Sequence, residues 1–384
     1  MKKGSPLSKT RQSLLHQFFL KLWYQQSLTS RLLSLCLLPL ASLYQSIARI
    51  RRRHQSQRAK ALSVPVVIVG NITVGGTGKT PVVIALAAAL KAHNIQVGII
   101  SRGYGGSHDQ SERIKPLLVS PQTSVTISGD EALLIAKETL CPVVISRSRR
   151  EAAEYLLSIT PQLDVIISDD GLQHYQLYRS LEIVVVDNKR GLGNQYCLPA
   201  GPLREPIERL EDVDWVLFNT QIDDTGDSTR QLITAVLPTI KCQRASVSLK
   251  PNSWLNVGLQ TCHELDEPTW LKAHRETSQP LVTAIAAIGN PQRFFDTVAT
   301  LGIVANDLAF DDHHGYAADD VEADADNIVL MTSKDAVKCA SFANKYVWAL
   351  NVSLQLPQAL VDDVLNVIGK PHKAASTKNS PIKN

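Results

Sequence analysis

Apolar and polar positions along this chain follow two patterns, short strand-like runs and longer stretches with helical spacing. The strand-like runs consist of consecutive β-branched and other apolar residues, a composition typical of parallel strands covered on both faces. In the first half of the chain such runs begin at Val66, Val97, Pro142, Leu163, Glu182 and Asp214. Because regular strand–helix alternation folds into right-handed crossover units, the sequence predicts an α/β fold with a doubly wound, mostly parallel sheet.

The alternation of strand-like and helical stretches weakens over residues 221–277 and resumes in the last third of the chain. Residues 245–249 alternate as a half-exposed strand does, and further strands are predicted at Leu281, Asn327 and Tyr346. The final residues are polar, which predicts disorder. The predicted organisation is a helical N-terminal segment, a core domain, a linker with short strands, a smaller α/β domain and a disordered tail, at 1–62, 63–225, 226–278, 279–370 and 371–384.

The N-terminal segment contains an apolar stretch that favours contact with a membrane. Residues 32–48 carry no charge, and Arg31 and Arg49 stand at the two ends. The stretch is shorter than the ~20 apolar residues of a spanning helix, and an arginine cluster follows it, as in segments attracted to anionic lipid headgroups. The alternative is an amphipathic helix packed on the domain, with solvated arginines. We favour a helix lying in the membrane interface, with Trp23 and Tyr24 at the headgroup level.

Composition narrows the class of protein. A chain of 384 residues can bury one large core or two ordinary ones. The net charge of +4 is mild and the local excess lies near the N-terminus, which argues against a nucleic-acid partner. The six cysteines are scattered without a C-x-x-C pair, so neither a disulfide framework nor a zinc site is expected, and a reducing compartment fits.

The strongest chemical signal lies in residues 66–90, VVIVGNITVGGTGKTPVVIALAAAL, which predict a buried strand, a glycine-rich turn and a helix. Glycines let backbone N–H groups converge on an anion at a helix N-terminus, so the turn is a predicted phosphate-binding loop. Lys79 is expected at the β/γ-phosphates of ATP and the Thr80 hydroxyl on Mg²⁺. Thr73 stands where the usual pattern has a glycine. The loop residues are Thr73, Val74, Gly75, Gly76, Thr77, Gly78, Lys79 and Thr80.

Acidic residues accompany two other predicted elements. Asp169 and Asp170 follow the fourth strand, where P-loop enzymes place the carboxylate that holds Mg²⁺, and either aspartate is a candidate. His174 is a candidate for orienting phosphate or substrate, with a structural histidine as the alternative. Asp130 and Glu131 precede a helical stretch, where the spacing alone indicates helix capping.

Basic side chains lie in loops that follow other predicted strands. Arg102 belongs to the glycine-rich loop SRGYGG, and Arg149 is one of three arginines after the third strand. Arg204 and Glu205 end a loop rich in proline and glycine. Arginines at strand ends beside a phosphate site are candidate phosphate clamps, and solvated surface is the alternative for at least one of them.

The order and spacing of these motifs resemble one family. From about Trp23 to Val367 the chain is similar to the tetraacyldisaccharide 4'-kinases, the lipid A 4'-kinases of Gram-negative bacteria. The matching motifs are GNITVGGTGKTP, SRGYGG, SGDE, SDDGLQH, LPAGPLRE, IGNPQRFF, DHH at residues 312–314 and TSKDAVK. The threonine at position 73 belongs to this family's own version of the phosphate loop.

The resemblance implies ATP- and Mg²⁺-dependent transfer of phosphate to the 4'-hydroxyl of a tetraacylated glucosamine disaccharide 1-phosphate, a step of lipid A (lipopolysaccharide) synthesis. It implies a P-loop core joined to a smaller domain by a two-stranded linker. It also implies an N-terminal helix bound to the cytoplasmic face of the bacterial inner membrane. In the family an aspartate and a histidine together activate the sugar hydroxyl, and here they would be Asp130 and either His313 or His314.

The remaining candidates take their roles from the same resemblance. Arg149 and Arg204 are candidate phosphate or substrate clamps. Thr80, with Asp169 or Asp170, is assigned to Mg²⁺, and Glu205 is a candidate support for the metal.

Other P-loop classes fit these residues less well. Switch ATPases that position a partner protein at a membrane carry a signature lysine before the paired glycines, where this chain has Val74. GTPases read their base with N-K-x-D, and the candidate at Asn219 lacks the lysine. A purely structural membrane-peripheral protein would leave Lys79, Thr80 and the paired aspartates without a purpose. We keep the membrane-peripheral switch ATPase as the alternative.

Overall fold

The computed structural model describes residues 18–25, 27–110, 115–220 and 242–369. The predicted tail at 371–384 and residues 226–241 of the predicted linker lie outside the described residues. Strands and helices alternate along most of the described chain. The strands are β1 Val66–Gly70, β2 Val97–Ser101, β3 Leu117–Val119, β4 Val143–Ile145, β5 Val165–Asp169, β6 Leu181–Asp187, β7 Trp215–Thr220, β8 Gln243–Asn256, β9 Thr261–Glu264, β10 Leu281–Ala286, β11 Asn306–Ala309, β12 Asn327–Thr332 and β13 Val347–Leu354.

Helices connect these strands and flank the sheet. Residues 18–24 are helical and precede the first long helix. Short 3₁₀ helices occur at Ile207–Asp212 and Ala318–Val321. The α-helices are α1 Leu28–Ser56, α2 Lys79–Ala92, α3 Ser107–Gln110, α4 Val125–Ser128, α5 Asp130–Thr139, α6 Arg149–Ile159, α7 Thr269–Thr277, α8 Pro291–Thr300, α9 Ser333–Cys339 and α10 Gln358–Gly369.

The strands form one sheet in the order β11-β10-β12-β13-β8-β7-β6-β1-β5-β2-β4-β3, with β9 paired to β8. β1 lies inside it and pairs in parallel with β5 and β6. β8 joins the two halves, because it is parallel to β7 over residues 243–248 and antiparallel to β13 over residues 249–256. The carboxyl ends of parallel strands share one edge, so the loops after β1, β2, β4, β5 and β6 meet there.

Apolar layers on both faces hold the central strand in place. Four consecutive residues of β1, from Val66 to Val69, are completely buried. On one face they pack with residues of α2 such as Leu86, and on the other with residues of α6 such as Leu156. Full burial of one such aliphatic side chain contributes about 1.5–3 kcal/mol. The loop that follows β1 therefore starts from a rigid point.

The last helix packs on the first half of the molecule. Leu360 and Val364 of α10 belong to the apolar cluster that surrounds α2. The Trp215 indole of β7 also donates a hydrogen bond to Asp363 of α10, at 2.9 Å. The segment predicted as a separate domain at 279–370 thus ends inside the core of the P-loop half.

Helix α1 presents its small and polar side chains to the protein and its large apolar side chains outward. Ser30, Ser34 and Ala41 are buried. Exposed apolar residues form an outward stripe whose members are three or four positions apart on each side of Pro39, as on one face of a helix. Its members are Leu28, Leu32, Leu35, Leu43, Ile47 and Ile50. By length and composition α1 is able to cross a membrane.

Candidate active site

The glycine-rich loop adopts backbone angles that favour glycine and ends at the N-terminus of α2. Gly75 and Gly78 have φ of 104° and 86°, in the left-handed region. Gly78 is the N-cap of α2 and provides no side-chain hydrogen bond to the helix. The backbone N–H groups of the first turn thus face the loop without an internal partner, which is the arrangement that binds phosphate.

The loop that carries Arg204 lies against the glycine-rich loop. The Val74 backbone N–H donates to the Pro202 carbonyl at 2.9 Å, and the Arg204 backbone N–H donates to the Ile72 carbonyl at 2.7 Å. The Asn71 amide also donates to the Gly75 carbonyl at 3.3 Å. These contacts bring the Arg204 side chain to the phosphate-binding side of the sheet.

Asp170 lies between two cations. Its carboxylate oxygens are 3.4 Å from Lys79 Nζ and 3.4 Å from Arg204 Nη1. Burial alone would raise the pKa of Asp170, but the charges of Lys79 and Arg204 hold that pKa well below its usual range. Asp170 is therefore ionised at neutral pH. Its φ of 47° lies in the left-handed region, which a residue other than glycine seldom adopts.

Asp169 is buried and only partly paired. One of its oxygens accepts a hydrogen bond from the Ser101 hydroxyl at 3.0 Å, whereas Oδ1 has no hydrogen-bond partner among the residues that the structure describes. Burial, with the charges of Glu131 and Asp170, raises the pKa of Asp169 to about 7. A divalent cation would relieve both the orphaned oxygen and the repulsion between the aspartates.

The donor atoms at this position fit Mg²⁺. This ion prefers oxygen ligands and is usually held by one or two carboxylates together with water and substrate phosphates. The Asp169–Asp170 pair supplies carboxylates, and the hydroxyl of Thr80 lies in the first turn of α2. Over residues 18–25, 27–110, 115–220 and 242–369, no group of three or more His, Cys, Asp and Glu side chains is arranged to hold a metal.

Two other predicted site residues, Arg149 and Glu205, make hydrogen bonds to other groups of the protein. The Arg149 guanidinium is buried and donates to the carbonyls of Ser146 at 2.9 Å and Asp169 at 3.2 Å. Burial lowers the pKa of Arg149 to about 10, so it keeps its charge at neutral pH. Glu205 accepts hydrogen bonds from Gln173 at 2.8 Å and from the Tyr175 hydroxyl. Both side chains therefore brace the loops that carry the site.

His174 and Arg102, two further predicted residues, lie at the margins of the candidate site. Burial, together with the charge of Arg149, lowers the pKa of His174 to about 3, so its ring is neutral at pH 7. The Arg102 side chain is half exposed and pairs with Asp109 at 3.1 Å. Its guanidinium also lies 5.9 Å from the centre of the Tyr104 ring.

The two histidines predicted as alternatives have different partners. His313 Nδ1 lies 3.0 Å from both carboxylate oxygens of Asp130, the buried first residue of α5. His314 instead contacts Asp320, at 3.1 Å. The Tyr104 ring packs against His313, with 5.1 Å between the ring centres. The structure thus brings His313, and not His314, to Asp130.

The pair is embedded in an alternating network of acids and lysines. Lys334 Nζ is 3.0 Å from Glu131 and 4.0 Å from Asp130, and Lys338 Nζ is 3.7 Å from Asp130. Burial alone would lower the pKa of His313, but the hydrogen bond with Asp130 raises it above its ordinary value. Burial alone would raise the pKa of Asp130, and His313 and Lys334 hold it below its ordinary value.

Sequence reasoning gave these lysines no role. They are spaced four residues apart in the TSKDAVK motif, so they lie on one side of α9. That spacing is the signal from which a shared acidic partner was predictable.

Asn219 connects the phosphate loop with the second half of the chain, and its role was also missed. Its amide donates to the Thr77 carbonyl at 3.0 Å, and its carbonyl oxygen accepts from Arg293 at 2.7 Å. Arg293, in α8, also donates to the Thr220 carbonyl at 2.8 Å. The shape of the loop at Thr77 is therefore linked to the position of α8.

Asn219→Ala is expected to raise the KM for ATP about tenfold, because it removes both hydrogen bonds and small displacements of a binding loop are costly. Steady-state kinetics at varied ATP would measure the change. Gln292→Ala is the matched control, since this exposed neighbour of Arg293 bonds to Asp296 on the same helix, and the substitution should leave the KM unchanged. An unchanged KM in Asn219→Ala would contradict the link.

Comparison with known proteins decides the family. The profile described as Tetraacyldisaccharide-1-P 4'-kinase matches residues 33–369, well over half of the chain. This chain belongs to that kinase family. A tetraacyldisaccharide 4'-kinase from Methylobacillus flagellatus is 41% identical over 334 residues, which cover 86% of this chain and 91% of that protein. Its counterpart from Shewanella pealeana is 41% identical over 355 residues, covering 91% and 97%.

A solved member of the 4'-kinase family shares the fold. The crystal structure of LpxK from Aquifex aeolicus in complex with ATP matches this chain with a TM-score of 0.68 and 28% sequence identity. The match covers 88% of this chain and 99% of that one. The predicted family, the α/β P-loop fold and the assignment to the kinases are confirmed.

Proposed function

We propose that this kinase transfers the γ-phosphate of ATP to the 4'-hydroxyl of a tetraacylated glucosamine disaccharide 1-phosphate, in lipid A synthesis. The observation that carries the proposal is the contact between Asp130 and His313, which places a carboxylate-oriented imidazole beside the phosphate loop. One electrostatic interaction and one chain of contacts support that location. Glu131, next to Asp130, acts electrostatically on Asp169. His313 donates its backbone N–H to Ala287, two residues before Gly289, and Gly289 packs on Gly76 of the phosphate loop.

Positively charged groups and backbone N–H groups would bind the nucleotide at one end of the site. The loop N–H groups and Lys79 would bind the phosphates of ATP. Thr80 and the Asp169–Asp170 pair would hold Mg²⁺, which supplies neutralisation of the charge that develops during phosphoryl transfer. Arg204, beside Asp170, is proposed as a clamp on the transferred phosphate.

The proton of the acceptor hydroxyl would pass to His313. With Nδ1–H donated to Asp130, the second ring nitrogen is left as the base, and Asp312 lies 3.8 Å from it. Nε2 would take the proton as the sugar oxygen bonds to the γ-phosphorus and the bond from that phosphorus to ADP breaks. The Asp130 carboxylate would stabilise the resulting imidazolium.

Arg149 and Glu205 are proposed to keep the residues that bind phosphate and metal in position. Arg149 is proposed to hold the end of β5, where the paired aspartates begin. Glu205 is proposed to fix the loop that carries Arg204, since both of its oxygens are already engaged within the protein.

We also propose that α1 docks on the cytoplasmic face of the inner membrane. Its exposed apolar stripe and the arginines that follow it support this placement. Sedimentation with phosphatidylglycerol vesicles would test it. A Leu43→Gln, Ile50→Gln variant should lose most vesicle binding. A control variant with exposed residues replaced elsewhere, Leu259→Gln with Val304→Gln, should keep it. Equal binding by both variants would refute the docking.

The activity itself is tested by incubating the full chain with γ-labelled ATP, Mg²⁺ and tetraacyldisaccharide 1-phosphate in detergent. The expected product is a labelled bis-phosphorylated lipid, absent when EDTA removes Mg²⁺. Labelled inorganic phosphate without labelled lipid would reject the proposal and favour the switch ATPase.

A further inference from the structure

We propose that Tyr44, on the inward face of α1, positions Arg204 for its contact with the transferred phosphate. The helix thus serves the reaction itself, in addition to docking on the membrane. This inference rests on the proposed function, because it takes Arg204 as the phosphate clamp. Tyr44 acts through the backbone of Arg204 and not on the substrate, so it is a positioning residue.

A hydrogen bond joins the Tyr44 side chain to the Arg204 backbone. The Tyr44 hydroxyl donates to the Arg204 carbonyl at 3.0 Å. On the other side, the Arg204 backbone N–H donates to the Ile72 carbonyl at 2.7 Å. Arg204 is therefore held through its N–H by the loop that follows β1 and through its carbonyl by α1. Because the backbone is fixed on both sides, the guanidinium extends from a defined point to its place 3.4 Å from Asp170.

The surroundings of Tyr44 keep its hydroxyl in place and protonated. The side chain is half-buried and packs on the apolar cluster that includes Leu177 and Leu203. Burial raises the pKa of Tyr44 above its ordinary value of about 10, so the hydroxyl keeps the proton that it donates. A tyrosine that packs its ring on the core normally finds a partner for its hydroxyl. Here that partner belongs to a residue of the candidate active site.

A second contact from the same face of α1 reaches the neighbouring residue, Glu205. Arg52 follows Tyr44 by about two helical turns, so both side chains lie on the inward face. The Arg52 guanidinium lies 5.4 Å from the centre of the Tyr175 ring, within the range of a cation–π contact. The Tyr175 hydroxyl in turn donates to Glu205. Two contacts of α1 therefore converge on Arg204 and Glu205, and anchoring to a membrane requires neither of them.

The test uses Tyr44→Phe, which removes one oxygen atom and keeps the ring that packs on the cluster. With γ-labelled ATP and tetraacyldisaccharide 1-phosphate in detergent, kcat should fall about tenfold, because small displacements of a catalytic group are costly. The KM values for both substrates should stay as in the wild type, since an interaction made only in the transition state appears in kcat. Binding to phosphatidylglycerol vesicles should also be unchanged, because the outward stripe is intact.

The matched control is Ser46→Ala, which removes another hydroxyl of the same helix. The Ser46 hydroxyl is exposed and donates to the Ser42 carbonyl within α1. This variant should retain the wild-type kcat. Thermal unfolding would show that both variants are folded.

Dependence on Arg204 separates positioning from a general structural role. Arg204→Gln should lower kcat about 10²-fold, as the loss of a group aimed at developing charge does. In that background Tyr44→Phe should cost less than about twofold, because the side chain that Tyr44 positions has lost its charge. A structural role would lower kcat by the same factor in both backgrounds.

The possible results distinguish this inference from the proposed function. Equal losses from Tyr44→Phe in the two backgrounds would overturn the inference. An unchanged kcat in Tyr44→Phe, or a change confined to KM or to vesicle binding, would overturn it too, while the proposed kinase activity stands. A wild-type kcat in Arg204→Gln would reject the phosphate clamp, and the inference with it. Absence of labelled lipid from the wild-type reaction would reject the proposed function itself.

Discussion

Lys79→Ala is expected to lower kcat for phosphate transfer by about 10³-fold and to leave the fold intact. Lys79 is the first residue of α2 and its ammonium lies 3.4 Å from Asp170, at the end of the adjacent strand. A fixed cation aimed at developing charge in a dry site is worth about 10²–10³ in rate. Phosphoryl transfer depends mainly on such charge stabilisation and on alignment. Single-turnover transfer from labelled ATP would measure the loss.

The control for this variant is another lysine of the same helix. Lys91→Ala removes a side chain at the C-terminal end of α2 that contacts the Thr139 carbonyl, and transfer should stay within about twofold of wild type. Circular dichroism and thermal unfolding would show that both variants are folded. Retention of more than about a tenth of wild-type turnover by Lys79→Ala would disprove its placement at the transferred phosphate.

The central strands were predictable from sequence because their signal is local. β1, β5 and β6 are runs of β-branched residues that are buried along their whole length. Strands β3, β9 and β11 were missed, since each has only three or four residues and most of them are exposed or half exposed. Short half-exposed segments bury too little apolar surface to produce a recognisable pattern.

The candidate site also consists of a part that was predictable from local sequence and a part that was not. The phosphate loop is contiguous, so its residue types and spacing predict both its shape and its ligand. The Asp130–His313 pair joins positions 183 residues apart, and no local pattern reports such a contact; the expectation came from the resemblance. Arg149 shows a further limit. Its position at a strand end predicted a phosphate clamp, while its burial and its bonds to backbone carbonyls emerge only from the packing.

Asp130→Asn is expected to reduce kcat about 10²–10⁴-fold, the range contributed by a positioned general base. The substitution preserves the shape of the side chain but removes the charge that faces His313. An uncharged amide lacks the negative charge with which the Asp130 carboxylate stabilises the imidazolium that forms when the sugar hydroxyl is deprotonated. His313→Ala should produce a loss of the same order. The double variant should be little worse than either single variant, because the two residues act as one unit.

The pH dependence distinguishes this role from a structural one. Burial alone would lower the pKa of His313, yet its hydrogen bond with Asp130 raises that pKa above the ordinary value near 6.5. A base works only when neutral, so wild-type kcat/KM should fall as pH decreases through this raised pKa. In Asp130→Asn the supporting carboxylate is gone while the charge of Lys334 remains. The pKa of His313 then drops, and the acid limb of the profile moves to lower pH.

The neighbouring pair provides the control. His314 and Asp320 form a second histidine–aspartate contact at 3.1 Å, so Asp320→Asn is the same chemical change one pair away. Its pH profile should keep the wild-type acid limb. The loss of kcat/KM in Asp130→Asn relative to wild type should be greatest at alkaline pH and should become smaller at acid pH. At acid pH the variant keeps a larger fraction of its imidazole neutral than the wild type does. A deficit that is uniform across pH would mean that Asp130 only supports the fold, and the proton would then have to leave the sugar by another route.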